Sequence, residues 1–468
     1  MINRRIVSIA LALTWLSALM APTATPVAAA GSRATDMGPA LQSVIDQQRA
    51  TLNIPGVTAT VIFGDGSRWS GVSGQAALAP NSAVTRYTPF VVGSITKTFI
   101  AALILDLAEE NLLSIDDPLA TWLPDYPNAA NIPLRQLLSH TSGVFDYFKH
   151  GSYNSAVFGD PSHHWTPAEI LTRFAHSPYF APGAGYHYSN TNFVLLGLVA
   201  EQAGGDSVGN QLRSRFWQPL GLDNTSIQSA GPPPAVAAKG YLWSTDHFRE
   251  ISDSSGYRPT RSAATVAWSV GDVVASADDI ATWANALYGG DVLDAASLTE
   301  MLDWERYPGG EGYGLGTQTQ EWDGRRMFGH TGSIRGYVAA AWHVPAEDAT
   351  FVVLTNRGRT NAHVSISTAL MDAVFVDTSP PTVPADLAGA GQGHRYVRLT
   401  WDPSTDNEPG PITYRLIRNG YGIGTRTTEL TFLDRPSSAG TYRYQVLAID
   451  AAGNKSAKST PVSVTAFR

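Results

Sequence analysis

Cysteine is absent from all 468 residues of the chain, and lysine occurs only five times. The lack of cysteine excludes disulfide bonds, catalysis by a thiol and metal sites built on cysteine. Positive charge is also scarce: the formal net charge is −8, and no cluster of Lys and Arg interrupts the acidic balance. We therefore expect no nucleic-acid partner.

Long apolar runs are missing beyond the N-terminal segment. Arg4 and Arg5 precede an apolar run over 6–20, and three alanines at 28–30 form a small-residue cleavage site. This pattern predicts a signal peptide over residues 1–30, with the Sec and twin-arginine routes both open. No later stretch approaches the ~20 apolar residues of a membrane span. We therefore expect a secreted, extracytoplasmic protein without a stable membrane span.

The mature chain divides into two predicted domains. Residues 31–375 begin with a strand pair at 57–63 and 68–74, joined by the turn Asp65-Gly66, and continue as a mainly helical block from 94 to about 230. Strands return at 312–320, 337–344 and 350–355. A sheet built from both ends of this segment, with helices inserted, is an α+β fold. A proline-rich linker at 376–384 separates it from residues 385–468.

Ser94 and Lys97 form the first motif with chemical meaning. One helical turn separates them, so their side chains can meet at the start of an apolar helix. An amine with a lowered pKa could remove the proton of the serine hydroxyl and make it a nucleophile. Read alone, Ser94 could equally be a helix N-cap.

Two further motifs follow, and each is weak by itself. Tyr188 and Asn190 form a Tyr-x-Asn pattern, in which the phenol could carry a proton for Ser94. A surface tyrosine beside a capping asparagine is the plainer interpretation. His330-Thr331-Gly332-Ser333 follows a predicted short strand and could offer a donor or a positive charge beside a strand edge. The run His140-Thr141-Ser142-Gly143 is nearly the same as this third motif, so the third motif is weak evidence when taken alone.

In order and spacing, the three motifs together resemble the serine β-lactamase and penicillin-binding superfamily, most closely class C β-lactamases and D-alanyl-D-alanine carboxypeptidases with His-Thr-Gly as third motif. The resemblance spans about 40–375 and includes 112–118, 135–143, 188–193 and 313–316. It implies the β-lactamase/transpeptidase-like fold.

The resemblance also implies a set of residue roles. Ser94 would form an acyl-enzyme on an amide, lactam or ester, with Lys97 and Tyr188 sharing the proton transfers. Asn190 and His330 would orient the substrate along Thr331 and Gly332, and the backbone N–H groups of Ser94 and Ser333 would bind the oxyanion. Trp268 either walls the cleft or packs in the core.

The substrate is less determined than the chemistry. The resemblance implies an arginine on the strand after 313–316 to bind a terminal carboxylate, but that strand reads Thr317-Gln318-Thr319-Gln320. Arg325, Arg326 or Arg335 could replace it. We expect a D-alanyl-D-alanine carboxypeptidase or β-lactamase acting on stem peptides or β-lactams; an esterase, a D-amino-acid amidase and a non-catalytic penicillin-binding receptor remain alternatives.

Two other patterns are set aside. Gly205-Asp206-Ser207-Val208-Gly209 fits the G-x-S-x-G elbow of α/β-hydrolases, but a helix precedes it where the elbow needs a strand, so Ser207 is predicted to be an N-cap. His163-His164 lacks a third ligand, and the stretch 402–408 is acidic enough to hold calcium but is more typical of a solvated sandwich loop. We therefore expect no metal and no cofactor.

Residues 385–468 alternate short strands with turns about every ten residues, which predicts a β-sandwich. Pro384, the strand 399–401 and the runs 440–444 and 449–456 resemble a fibronectin type III module. Trp401 is then expected in the core, with Tyr442 as a corner tyrosine bonded to backbone. Contact with cell wall or polysaccharide is one role open to this module.

Overall fold

The computed structural model describes residues 32–303, 305, 306, 312–377, 379–407 and 410–468. The predicted signal peptide, residues 1–30, lies outside the described residues. Within them, the α-helices are α1 (Arg33–Thr51), α2 (Thr96–Glu109), α3 (Leu134–Leu138), α4 (Tyr153–Gly159), α5 (Pro167–Arg173), α6 (Asn190–Gly204), α7 (Val208–Leu212), α8 (Arg261–Gly271), α9 (Ala277–Gly289), α10 (Ala295–Leu302) and α11 (Ala362–Phe375).

The strands up to residue 355 form one large antiparallel sheet and two small ones. They are β1 (Gly56–Ile62), β2 (Arg68–Leu78), β3 (Asn81–Ala83), β4 (Phe90–Val91), β5 (Ser226–Ile227), β6 (Tyr241–Trp243), β7 (Phe248–Glu250), β8 (Val273–Ala275), β9 (Glu305–Arg306), β10 (Gly312–Tyr313), β11 (Gln318–Trp322), β12 (Arg325–Ile334), β13 (Tyr337–Val344) and β14 (Ala349–Thr355). The large sheet has the order β3-β2-β1-β14-β13-β12-β11-β10-β9.

Both ends of this segment meet in the middle of the large sheet, as the sequence predicted. β1 pairs with β14, Val57 lying opposite Thr355. Successive residues of β14 point to opposite faces, so Phe351 and Val353 pack beneath α1 and α11 while Val352 and Leu354 face the helical block. Apolar residues on both faces bury this strand completely, which fixes its register.

The helical block is built around α2. Its apolar residues surround the whole helix and are almost all buried, as is typical of a helix in the centre of a domain. Phe99 stacks on Trp283 of α9 with ring centroids 4.1 Å apart. This packing gives the N-terminal end of α2, which carries Lys97 and directly follows the turn with Ser94, a fixed position against the sheet.

One predicted strand is divided in the structure. The run 312–320 was expected to be continuous, but a turn separates β10 from β11, with Gly314 N–H donating to the Thr317 carbonyl. Gly316 has a φ of +71°, and a Cβ there would lie 2.3 Å from Ala101 of α2. The turn brings the chain against α2 at a point that only glycine can occupy.

Residues beyond the linker form a β-sandwich, as predicted. Its strands are β15 (Ala388–Gly391), β16 (Val397–Thr400), β17 (Thr413–Arg418), β18 (Tyr421–Thr427), β19 (Thr431–Asp434), β20 (Gly440–Ile449) and β21 (Val462–Ala466). They form a sheet β15-β16-β19 and a sheet β18-β17-β20-β21 around their own apolar core. Trp401 lies in that core, and Tyr442 Oη donates to the Ser438 carbonyl at 2.9 Å, so both expectations are confirmed. The fibronectin type III identity stays a prediction.

Over the residues described, no helix combines the length and apolar character needed to span a bilayer.

Candidate active site

Ser94 occupies a 3-10 turn, Gly93–Ile95, that runs directly into α2. The residue flanking α2 is Ile95, which has no side-chain capping bond, so Ser94 does not cap this helix. Its Oγ instead lies 3.1 Å from Lys97 Nζ, and the side chain is only half buried. The position therefore suits a group that meets a substrate, and the N-cap interpretation fails.

Two glycines let this turn touch β12 backbone to backbone. Gly93 has a φ of +56°, and a Cβ there would lie 2.9 Å from Ser333 N. A Cβ on Gly332 would lie 1.9 Å from the Val92 carbonyl oxygen and 3.4 Å from Ser94 N. The close approach brings the backbone amides of Ser94 and Ser333, for which the resemblance implies oxyanion binding, into one region.

Lys97 is fully buried and has three polar neighbours. Its Nζ lies 2.9 Å from Asn190 Oδ1 and 2.9 Å from the Val270 carbonyl oxygen, in addition to the contact with Ser94. A neutral amine has two N–H donors and one lone pair. Asn190 Oδ1 and the Val270 carbonyl oxygen can accept hydrogen bonds from the two N–H groups of Lys97. The lone pair on Nζ then faces the Ser94 hydroxyl.

The environment of Lys97 favours that neutral form. Burial lowers the pKa of Lys97 to about 7, and the negative charge of Asp146 opposes part of the fall. A base with a pKa near neutrality has a large neutral fraction at neutral pH and is still basic enough to accept a proton.

Asn190 and Asp146 hold the lysine in place. Asn190 is the first residue of α6, and both its backbone N–H and its Nδ2 donate to Asp146 Oδ1, at 3.2 and 3.1 Å. Its Oδ1 is then turned towards Lys97. Asp146 itself is 2% exposed, so its charge acts on Lys97 with little solvent screening.

Tyr188 borders the other side of Lys97, whose Nζ lies 5.0 Å from the centre of the phenol ring. The ring also packs on His140, with centroids 4.2 Å apart. Tyr188 Oη is buried and makes no well-formed hydrogen bond in the free protein. Burial raises the pKa of Tyr188 well above its usual range, and the nearby Ser94 hydroxyl only partly offsets this. The resting side chain is therefore a neutral phenol.

His330 lies inside β12 and is 1% exposed. Its Nδ1 is 2.5 Å from the Thr331 carbonyl oxygen, so Nδ1 carries the hydrogen and Nε2 accepts from Tyr313 Oη at 3.1 Å. Burial and the charge of Lys97 lower the pKa of His330 to about 3, against the opposing effect of the Thr331 carbonyl. Of the two roles open from the sequence, a donor or a positive charge, the positive charge is not favoured: the imidazole is neutral, and both ring nitrogens bond to the protein.

Trp268 is placed in the core and not on the cleft wall. It is 6% exposed, and its ring edge would lie 2.8 Å from a Cβ on Gly197 of α6. Its backbone departs from the helix, with φ 30° and ψ −126° inside α8. This kink lies two residues before Val270. The Val270 carbonyl oxygen accepts a hydrogen bond from Lys97 Nζ instead of from a backbone N–H of the helix. Trp268 thus contributes a strained turn to the site and does not line it.

Gln318, at the position where a carboxylate-binding arginine was expected, is engaged with the third motif. Its Oε1 accepts from Thr331 N–H at 2.9 Å and from Thr331 Oγ at 3.1 Å. These bonds join β11 to β12 beside Ser94. The side chain therefore supports the strand edge and brings no charge to it.

The candidate arginines differ in position. Arg325 lies at the far end of β12 and forms ion pairs with Glu347 and Asp323. Arg326 is its exposed neighbour, opposite Glu321 in the sheet. Arg335 lies two residues beyond Ser333, with its guanidinium 4.1 Å above the Phe158 ring and its buried Nε without a hydrogen-bond partner. Of the three, Arg335 lies nearest to the third motif along the chain.

Of the patterns set aside, the G-x-S-x-G run behaves as predicted. Ser207 caps α7 through a bond from Asn210 N–H, and Gly205, with φ +69°, ends α6 before it. His163 pairs with Glu169 at 2.8 Å. Among the residues described, the only cluster of three or more potential metal ligands lies in and beside the sandwich, away from Ser94.

Residues 41–374 match the family model described as Beta-lactamase. The chain belongs to the beta-lactamase family. Curated relatives include a D-aminopeptidase of Brucella anthropi, 28% identical over 60% of this chain and 52% of that protein, and penicillin-binding protein 4* of Bacillus subtilis, 28% identical over 57% and 60%. The chain thus spans little more than half the length of these relatives.

Two solved structures share the fold of this beta-lactamase family member. One is a D-stereospecific amidohydrolase from Streptomyces sp., with a TM-score of 0.63, 28% identity and coverage of 73% of this chain and 99% of that one. The other is the D-amino acid amidase from Ochrobactrum anthropi SV3 complexed with D-phenylalanine, with a TM-score of 0.65, 26% identity and coverage of 72% and 99%. These homologues are serine hydrolases. The superfamily prediction is confirmed; the narrower resemblance to class C β-lactamases and carboxypeptidases stays a prediction.

Sequence reasoning missed three contributors to the site of this family member. Asp146 lies three residues after the run 135–143, and its only local signal is a carboxylate between aromatic residues. The Val270 carbonyl has no sequence signal, because its exposure depends on the kink at Trp268. Tyr313 was given as part of the family resemblance without a role, and its hydroxyl donates the hydrogen bond that His330 Nε2 accepts.

Proposed function

We propose that this protein is a secreted serine amidohydrolase that cleaves amides and short peptides of D-amino acids through an acyl-enzyme on Ser94. The observation that carries the proposal is the buried Lys97, with a pKa lowered to about 7, at 3.1 Å from Ser94 Oγ. Export rests on the predicted signal peptide alone.

In the first step, Ser94 Oγ attacks the substrate carbonyl carbon as its proton passes to the lone pair of Lys97 Nζ. Asn190 and the Val270 carbonyl retain the two original amine hydrogens, so the new proton faces the substrate. The developing oxyanion would bind the backbone N–H groups of Ser94 and Ser333, which the glycines at 93 and 332 bring together. Loss of one such donor typically costs about 2.7–4 kcal/mol of transition-state stabilisation.

The leaving amine then takes a proton as the C–N bond breaks. Lys97 supplies it, directly or through the neutral phenol of Tyr188, which borders Ser94 and regains a proton from Lys97. Water next attacks the acyl carbon, gives its proton to the same base, and Ser94 departs with that proton. Every group returns to its starting state, so the pair Lys97 and Tyr188 acts as acid and base in turn.

The choice of an amide substrate rests on the strand edge beside Ser94. A free carboxylate is bound most strongly by a bidentate arginine, and the neutral Gln318 here is already engaged with Thr331. His330 is neutral as well and cannot replace that charge. The relatives named D-aminopeptidase and D-amino acid amidase support a D-residue on the acyl side.

The test measures kcat/KM for two pairs of substrates. The first pair is D-phenylalanine amide and its L-enantiomer. The second is a peptide ending in D-alanyl-D-alanine and the C-terminal amide of the same peptide. We expect the D-amide to be preferred over the L-amide by at least about a hundredfold. We expect the free acid to exceed its amide by less than about a hundredfold, since no charged clamp discriminates between them. A preference for the free acid above roughly a thousandfold would contradict the proposal.

A D-alanyl-D-alanine carboxypeptidase is the second candidate, favoured by one observation. Arg335 follows the third motif closely and keeps a buried, unpartnered Nε that a carboxylate could occupy. If it is the clamp, Arg335→Gln will abolish a preference for the free acid while Arg325→Gln, in an ion-paired arginine at the other end of β12, leaves it intact. An equal effect of both variants would exclude Arg335 as the clamp.

A further inference from the structure

Three aspartates from distant segments converge at one end of the sandwich. Asp377 lies two residues beyond α11 in the linker, Asp406 lies in the loop after β16, and Asp450 directly follows β20. One carboxylate oxygen from each falls within 4.8 Å of the others. Asn454 orients Asp377: the Nδ2 of Asn454 donates to the Asp377 carbonyl oxygen at 3.1 Å and to Asp377 Oδ2 at 3.3 Å.

The carboxylate of Asp450 carries the second observation. The residue is 6% exposed; its Oδ1 accepts from Asn454 N–H at 2.8 Å, whereas its Oδ2 is buried and has no hydrogen-bond partner. Asp406 Oδ1 is likewise buried and unpartnered. Within the described residues, no lysine, arginine or histidine forms an ion pair with any of the three aspartates.

Such an arrangement is unfavourable unless a cation joins it. Burying an ionised carboxylate without a partner is costly, and three negative groups at this separation repel one another. We propose that Asp377, Asp406 and Asp450 form a divalent-cation site that takes Ca²⁺. This revises the expectation from the sequence, which considered calcium only at the local run 402–408 and preferred a solvated loop there.

The donor set selects the metal. All three side chains offer hard carboxylate oxygens, without the nitrogen or sulfur ligands that zinc and the later transition metals prefer. The ligands come from a linker and two loops, not from one rigid element. Calcium accepts irregular shells of six to eight oxygens, whereas magnesium requires near-ideal octahedral geometry.

The consequence of binding is mechanical. Asp377 belongs to the segment that leaves α11, and Asp406 and Asp450 belong to the sandwich, so one ion would attach the start of the linker to two sandwich loops. The linker already touches this region, since Thr382 N–H donates to the Thr405 carbonyl at 2.8 Å. The site is therefore separate from the chemistry at Ser94 and independent of the proposed substrate.

The test measures Ca²⁺ binding to the full chain after treatment with a chelator, by titration calorimetry and thermal unfolding. We expect one Ca²⁺ per chain, with a Kd of about 10⁻⁴–10⁻³ M, as in other extracellular modules. At several millimolar Ca²⁺ the unfolding temperature of the sandwich should rise by at least about 4 °C. Asp450→Asn should weaken the affinity at least tenfold, and Asp406→Asn, in a half-buried position, gives a second variant if the first fails to fold.

Asp402→Asn is the matched control, because Asp402 is an exposed carboxylate of the same loop as Asp406. It should bind Ca²⁺ as the unmodified chain does. The proposal is overturned if the unmodified chain binds no Ca²⁺, if Mg²⁺ binds more tightly than Ca²⁺, or if Asp402→Asn weakens binding as much as Asp450→Asn and Asp406→Asn do.

Discussion

Lys97 shows how single residues set the chemistry of this site. A lysine without access to solvent must lose its charge or find acceptors for its hydrogens, and here Asn190, Val270 and Ser94 surround the amine. Asp146 works in the opposite direction, because its charge favours the protonated amine. The balance of these two effects places the pKa of Lys97 near neutrality.

The pH dependence of kcat/KM should report this balance. Because the neutral amine is the base, activity should rise with pH through about 7 and fall tenfold per pH unit below it. Asp146→Asn removes the charge that holds the pKa of Lys97 up, so the acidic limb should move to lower pH. Asp223→Asn, which changes an exposed carboxylate, should leave the profile unmoved. An acidic limb that stays in place in Asp146→Asn would contradict this assignment.

At this scale, residues with a short-range pattern could be predicted from the sequence. Ser94 and Lys97 lie one helical turn apart, and the structure brings Asn190 and His330 to the same place. Asp146 could not be predicted, since its role depends on a contact with a residue 44 positions away. The sequence left open whether His330 is charged, because burial, which lowers its pKa, is invisible in a local motif.

The elements of this fold position the site through glycine contacts between backbones. Gly332 in β12 and Gly93 in the nucleophile turn allow an approach that any Cβ would prevent. The divided strand at 312–320 has the same cause, with Gly316 against α2. Strand periodicity alone could not predict that division, because the turn depends on contact with a helix some 200 residues earlier in the chain.

Gly332→Ala tests the junction between β12 and the nucleophile turn. The added Cβ would lie 1.9 Å from the Val92 carbonyl oxygen, so one backbone must move away from the other. We expect kcat/KM to fall at least about a hundredfold, because a displacement of ~1 Å at a reacting centre has that effect. The free energy of unfolding should fall by about 1–3 kcal/mol, as for other overpacked sites.

Gly151→Ala is the control for that variant, since a Cβ at this exposed glycine meets no atom within 4 Å. Its activity and stability should match those of the unmodified chain. Unchanged activity in Gly332→Ala would mean that the close approach of β12 does not position the oxyanion donors.

At the scale of the whole molecule, the residues that the structure describes form two parts with separate apolar cores. The core of the sandwich contains only residues beyond the linker, and the two cores of the larger part contain none of them. Composition and the prolines at 380, 381 and 384 were enough to predict this division. They could not predict the meeting of Asp377 with Asp406 and Asp450, which requires the folded positions of two loops.

A chain ending near Thr378 should therefore keep its turnover on a small amide. The catalytic groups all lie before α11, and the sandwich contributes no residue to their contacts among those described. We expect kcat and KM within about twofold of the full chain, measured with folding checked by circular dichroism. A folded but inactive truncated chain would mean that the sandwich shapes the cleft.

Covalent labelling of Ser94 tests the central claim most directly. The full chain is incubated with a fluorophosphonate, and the intact mass and the labelled peptide are determined. A nucleophile activated by Lys97 should add one label per chain on the peptide that bears Ser94. Ser94→Ala should remove the label without loss of the fold, and Ser207→Ala should retain it in full. A label that persists in Ser94→Ala, or one found on Ser207, would contradict the assignment of the active site.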